Sequence, residues 1–160
     1  MVQFEKAVQL SQVANAQDQQ ALALLMLGRT SDGLGERQQA LEFYQQALSL
    51  YRAVGDRSGE ARTLNNIGSV YSALGEKEKA LKFYSQALPL MRAVGDSSGS
   101  LRSNRARDEA ATLNNIGVIY DALGDKEKAL EFYNKVLPLR RAVGDRSGEA
   151  RTLNNIGVIY

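Results

Sequence analysis

The segment from Arg52 to Gly68 returns letter for letter from Arg141 to Gly157, and Leu-Asn-Asn-Ile-Gly stands three times, from Leu64, Leu113 and Leu153. A chain that repeats itself is built from one small unit that cannot bury its apolar face alone. Stacked side by side, such units share a continuous core and leave an extended surface. The Leu-Gly pairs ending at Gly35, Gly75 and Gly124 are spaced by 40 and then 49 residues. The asparagine pairs are spaced by 49 and then 40. The unit is therefore 40 residues long, and one copy carries nine more.

Each unit reads as two helices. Helix A is expected to begin near Ser58, with Ser58 as N-cap and Glu60 in the first turn. Its apolar stripe is Ala61, Leu64, Ile67, Gly68 and Tyr71. It stops at Leu74-Gly75, where glycine can take the left-handed conformation. Helix B is expected from about Glu76, with Ala80, Phe83, Tyr84, Ala87, Leu88, Met91 and Val94 on its apolar face, ending at Gly95-Asp96. Pro89 and Pro138 fall inside helix B. A bend is expected near Pro89 rather than a stop, because the stripe continues past it.

Composition narrows the function. The 160 residues are 44% hydrophobic and 24% charged, with only two prolines, as in a folded helical protein. Cysteine and histidine are absent. Disulfides, thiolate nucleophiles, Cys/His zinc sites and the commonest general base are thereby excluded. No tight carboxylate cluster suggests another metal, so no cofactor and no enzymatic activity are expected. A net charge of +2 does not argue for a nucleic-acid or membrane partner. The longest apolar run, Ala21 to Leu27, is too short to span a bilayer, and no leader peptide is visible. The expected location is cytoplasmic.

The pattern resembles the tetratricopeptide repeat (TPR). Its consensus positions fall on Leu64, Ile67, Gly68, Tyr71, Ala80 and Tyr84, and again on Leu113, Ile116, Gly117, Tyr120, Ala129 and Tyr133. The first copy matches with Leu24, Leu27, Gly28, Ala40 and Tyr44, while Ser31 replaces the tyrosine. Where the family usually closes helix B with proline, Arg92 and Arg141 stand near that place. The longer repeat is similar to those of kinesin light chain, which also carry Leu-Asn-Asn, and to those of Pins-type adaptors and bacterial signalling proteins. The resemblance implies an all-α fold, a right-handed α-solenoid of antiparallel helix pairs. It also implies a protein–protein interaction scaffold whose A helices line a concave groove for an extended or helical peptide.

Within that frame the expected divisions are helix B of a preceding repeat over 2–15, repeats over 17–56, 57–96 and 97–145, and a last helix A over 147–160. Phe4, Ala7 and Leu10 take the register of Tyr44, Ala47 and Leu50. Neither end resembles a polar capping repeat, so the chain is expected to be part of a longer array. An end-to-end contact between Tyr160 of one copy and Phe4 of another is one expectation, and a monomer with frayed ends the other. A structural or self-associating spacer module is the alternative to the scaffold. The insertion near 97–109 opens with Ser and Gly and carries Arg102, Arg105 and Arg107. It is either a docking point for an acidic partner or a tolerated surface loop, with helix formers from about Ser103.

The stripe leaves Arg62, Asn65, Asn66, Ser69 and Ser72 to face the groove, with equivalents at Ala111, Asn114, Asn115, Val118 and Asp121 and at Arg151, Asn154, Asn155 and Val158. Asparagine is a poor helix former, so two in succession at mid-helix ask for a reason. The amide offers a donor and an acceptor side by side and can hold a peptide backbone without reading its sequence. In kinesin light chain and O-linked N-acetylglucosamine transferase, asparagines at the place of Asn66, Asn115 and Asn155 hold peptide, and the resemblance carries that role to these three. Asn65, Asn114 and Asn154 either join them or bond between neighbouring repeats. Arg62 and Arg151 either add charge-assisted bonds to an acidic peptide or remain solvated. The first copy has Leu25 and Met26 instead, so its stretch of groove is expected to be apolar. Three asparagines making two bonds each give roughly 3–9 kcal/mol before ordering costs, against about 8 for micromolar affinity.

Overall fold

The computed structural model describes the backbone of residues 2–93 and 100–160 and the side chains of residues 12–13, 15–93 and 103–160. Among these the chain is all-α: α1 (Val2–Gly33), α2 (Arg37–Val54), α3 (Arg57–Ala73), α4 (Lys77–Ala93), α5 (Ser100–Ala122), α6 (Lys126–Ala142) and α7 (Arg146–Ile159). Each helix packs against the next in sequence. In addition, α1, α3, α5 and α7 touch in series, which is the order of a solenoid.

The turns follow from local chemistry. Gly55 adopts φ 75°, and the N–H groups of Gly55 and Asp56 reach back to the Arg52 and Tyr51 carbonyls. Asp56 then caps α3, its carboxylate accepting from the Ser58 and Gly59 N–H groups. The cap is thus Asp56 rather than Ser58, which lies inside the helix. Asp145 repeats the device on α7 through Gly148 N–H. Three ion pairs join the end of one repeat to the start of the next: Arg52–Glu60 at 2.7 Å, Arg92–Glu109 at 2.6 Å and Arg141–Glu149 at 2.5 Å.

Two boundaries differ from the sequence expectation. A separate helix B over 2–15 and helix A from 17 were expected, but α1 runs unbroken from Val2 to Gly33. The cause lies at the expected turn. Asn15 and Ala16 stand where Gly55 and Asp56 make the later connector, so neither the left-handed glycine nor the carboxylate cap is present. The second difference is α5, which starts at Ser100, so the inserted residues extend the helix from there instead of looping to Ser103. The expected loop at 97–99 and the Gly95-Asp96 stop lie outside the described residues, as does the side chain of Arg102. Arg105 is half-buried and Arg107 exposed on α5. Both prolines are accommodated within helices, α4 and α6, on their exposed faces.

The core is handed from repeat to repeat. Tyr44, Tyr84 and Tyr133 are each about 1% exposed. Their rings lie over Gly28, Gly68 and Gly117, where a Cβ would come within 2.5, 2.7 and 2.6 Å of ring carbon. Around them sit Ala40, Ala80 and Ala129, all fully buried, with Leu64, Ile67, Leu113 and Ile116. Tyr71 stacks on Phe83 at 5.4 Å, and Tyr120 on Phe132 at 5.5 Å, closing the A–B pair at its turn end.

Candidate functional site

The face shared by α1, α3 and α5 carries a cleft of about 290 Å³. Leu22, Leu25, Met26 and Arg29 of α1 form one wall, and Arg62, Asn65 and Asn66 of α3 the other. Met91 and Asp108 complete it from the end of α4 and the start of α5. The walls arise from helical spacing. Met26 and Arg29, like Arg62, Asn65 and Asn66, stand one position off the stripe that packs into the repeat. Leu22 and Met26 remain 44% and 50% exposed, so the first repeat's part of this face is apolar. Burial pushes the Asp108 carboxyl above its usual value, and the charge of Arg62 opposes that shift.

The asparagine pairs divide. Asn66 is half-buried on the wall of the cleft, and Arg62 beside it is exposed. Asn65 is half-buried and turns toward α5, where the Thr112 hydroxyl lies 2.7 Å from its Oδ1. The same hydroxyl is 2.9 Å from the Asp108 carbonyl oxygen and 3.6 Å from Met91 Sδ. Asn114 is only 7% exposed. Its expected presentation to an open groove is corrected: the side chain is buried, and its Oδ1 has no hydrogen-bond partner. Asn115 is half-buried and donates from Nδ2 to the Tyr84 hydroxyl at 3.3 Å. On α7, Asn155 is half-buried, while Asn154 and Arg151 are exposed. Asn65 and Asn66 thus both line the cleft, Asn65 also meeting α5, while the contact shown for Asn115 is with Tyr84.

Two features escaped sequence reasoning. Thr63, Thr112 and Thr152 are wholly buried and satisfy their hydroxyls on carbonyls four residues back: Gly59, Asp108 and Gly148, at 2.8, 2.9 and 3.1 Å. Their recurrence just before Leu-Asn-Asn was the available signal. The second is Tyr84, a core ring whose hydroxyl reaches Asn115. Burial raises its pKa, while its hydrogen bonds to Asn115 and Ser69 act in the opposite sense. Tyr44 is pushed up to about 12, chiefly by burial. Among the described residues no group of three or more His, Cys, Asp or Glu is placed to hold a metal, and no helix is long and apolar enough to cross a membrane.

Known structures share this arrangement. BtubC (BKLC) from P. vanneervenii superposes with a TM-score of 0.74 at 22% identity over 88% of this chain, which spans 55% of that chain's length. The TPR domain of Arabidopsis FLU gives 0.64 at 22% identity, covering 79% of this chain and 98% of that one. MamA gives 0.65 at 24% identity, covering 94% and 72%. At these identities the likeness concerns the fold. No curated protein sequence matches the chain. The family model of the tetratricopeptide repeat matches residues 33–93 and 108–160, spanning most of the helices described above, and the chain belongs to that family.

Proposed function

We propose that the chain is a protein–protein interaction scaffold that holds an extended or helical peptide along the face shared by α1, α3 and α5. The observation that carries this reading is the cleft, where apolar side chains, two amides and two guanidinium groups from facing walls line one solvent-facing space. Its volume is at the small end for ligand sites, which suits a few peptide side chains better than a cofactor. Asn66, and by repetition Asn115 and Asn155, supply paired donors and acceptors for the peptide main chain. Arg29 and Arg62 favour an acidic flank on the partner.

A peptide selected from a random library for binding to this chain provides the test. The Asn66→Ala, Asn115→Ala, Asn155→Ala triple variant is expected to weaken its binding at least tenfold while keeping the native circular dichroism. Unchanged affinity removes the groove reading. Lowered melting temperature with unchanged affinity assigns the amides to the stack.

One observation favours self-association as a second reading. Gly28, Gly68 and Gly117 each lie under a tyrosine ring, whereas a Cβ added at Gly157 would meet nothing within 4 Å. On the same helix Leu153 is 46% exposed, and Tyr160, just past its end, 93%. That face has the shape of a helix-B receptor, and a second copy is one candidate to fill it. Light scattering across a wide concentration range decides: growth in mass with concentration supports it, and a constant monomer mass rejects it.

A further inference from the structure

Helices α3 and α7 open with the same residues, Arg57 to Gly68 and Arg146 to Gly157, yet only one of the two faces is covered. On α3, Leu64 is 1% exposed, the Tyr84 ring of α4 lies against Gly68, and Tyr71 stacks on Phe83. On α5 the same places are covered by Tyr133 and Phe132 of α6. On α7, Leu153 and Tyr160 stand open and the space over Gly157 is empty. The covered faces define what fits the open one. It is a helix with an aromatic ring for the glycine and apolar side chains three and four residues on, as in Tyr84, Ala87 and Leu88.

The first half of α1 meets that description and has no helix of its own to cover. Phe4, Ala7 and Val8 stand in the register of Tyr44, Ala47 and Leu48. Among the described residues α1 touches only α2 and α3. With 18 residues against 32, α2 is too short to accompany α1 along its length. Gln12, Val13, Asn15 and Ala16 are exposed, and the buried side chains described on α1 begin at Ala21. By contrast α2, α4 and α6 each pack on an A helix of their own repeat. A lone helical stretch of about 15 residues is marginal in water, so a surface that covers it stabilises it.

We propose that the open face of α7 receives the first half of α1 from a second copy of the chain, with Phe4 over Gly157 as Tyr84 is over Gly68. The inference rests on the self-association reading and names the two surfaces that meet. They differ from each other, so the contact is head to tail, and each pair keeps one of each surface free for further copies. The fused α1 makes room for it. Since α1 runs straight through Asn15-Ala16 and α2 covers it only beyond that point, the body of the donating copy lies past the start of α7 and does not compete for the face. Gly157 is the residue on which the fit depends, because any side chain there takes the place of the incoming ring.

The chain has no cysteine, so an introduced one is unique. Gln3 stands in the register of Phe83 and Tyr160 in that of Tyr71, whose rings stack at 5.4 Å. A Gln3→Cys preparation is mixed with a Tyr160→Cys preparation and oxidised in air. Gln45→Cys, exposed on α2, mixed with Tyr160→Cys measures random encounter. Roughly tenfold more 3–160 than 45–160 disulfide is expected, and light scattering of the unsubstituted chain is expected to rise with a dissociation constant on the order of 100 μM, weak because one helix pair is a small interface. Gly157→Leu puts a side chain into open space and raises helix propensity, so it is expected to fold, by circular dichroism, and to abolish both signals. A mass that grows but persists in Gly157→Leu, with 3–160 no better than 45–160, overturns this contact and leaves self-association to another face. A constant monomer mass overturns both, and leaves the α7 face to a helix from elsewhere.

Discussion

A glycine beneath a tyrosine ring sets how closely the two helices of a repeat approach. At Gly68 an added methyl meets the Tyr84 ring at 2.7 Å, well inside contact distance. Gly68→Ala gains about 1 kcal/mol in helix propensity but loses more by overpacking, typically about 1–3 kcal/mol. A net loss of up to about 2 kcal/mol in urea unfolding is expected, and a stabilised variant would contradict the close approach. Gly157→Ala, with open space at the same position, is expected to be neutral or stabilising in the same assay. The tyrosines also predict an alkaline limit. Burial lifts Tyr44 from 10.0 to about 12 and raises Tyr84 and Tyr133 as well. The folded state therefore holds these protons more tightly than the unfolded chain. Stability from this source is complete below pH 10 and falls as the pH climbs through the folded values. Melting temperatures measured on either side of pH 10 check the sign.

Helices here are set by their connectors more than by their interiors. Where Gly55-Asp56 stands the chain turns, and where Asn15-Ala16 stands it does not. Asp56→Ala removes a carboxylate that accepts from two N–H groups and is expected to cost about 1 kcal/mol, measured by thermal unfolding. The Arg52–Glu60, Arg92–Glu109 and Arg141–Glu149 pairs bridge successive repeats. With exposed arginines, each is worth about 0.2–1 kcal/mol and is weakened by salt. The repeat length, the A and B assignment and the buried stripe were legible because helical periodicity and Leu-Gly punctuation recur in register. The fused α1 was not, because aligning Phe4 with Tyr44 tests the apolar face and not the turn that must follow it. The cap at Asp56 was assigned to Ser58 because both are capping residue types two positions apart.

Across the whole molecule, repetition produces near-identical junctions that differ at single positions. The place of Asn66 on a solvent-facing cleft was legible from helical spacing, which puts it one position off the buried stripe. The burial of Asn114 was not, because whether an amide between two helices meets a partner depends on the neighbouring turn. Arg140 escaped for the same reason: its equivalents Tyr51 and Met91 are core residues, and only the stack shows that its Nε and Nη1 are buried without a hydrogen-bond partner. The central claim, that partners bind on the A-helix face, is tested most directly by site-specific photo-crosslinking of the selected peptide. A photoreactive residue at exposed Ala111 on α5 is compared with one at exposed Gln45 on α2 and one at exposed Glu131 on α6. Crosslinking at 111 alone is the predicted result, and capture at 45 or 131 with none at 111 would contradict it.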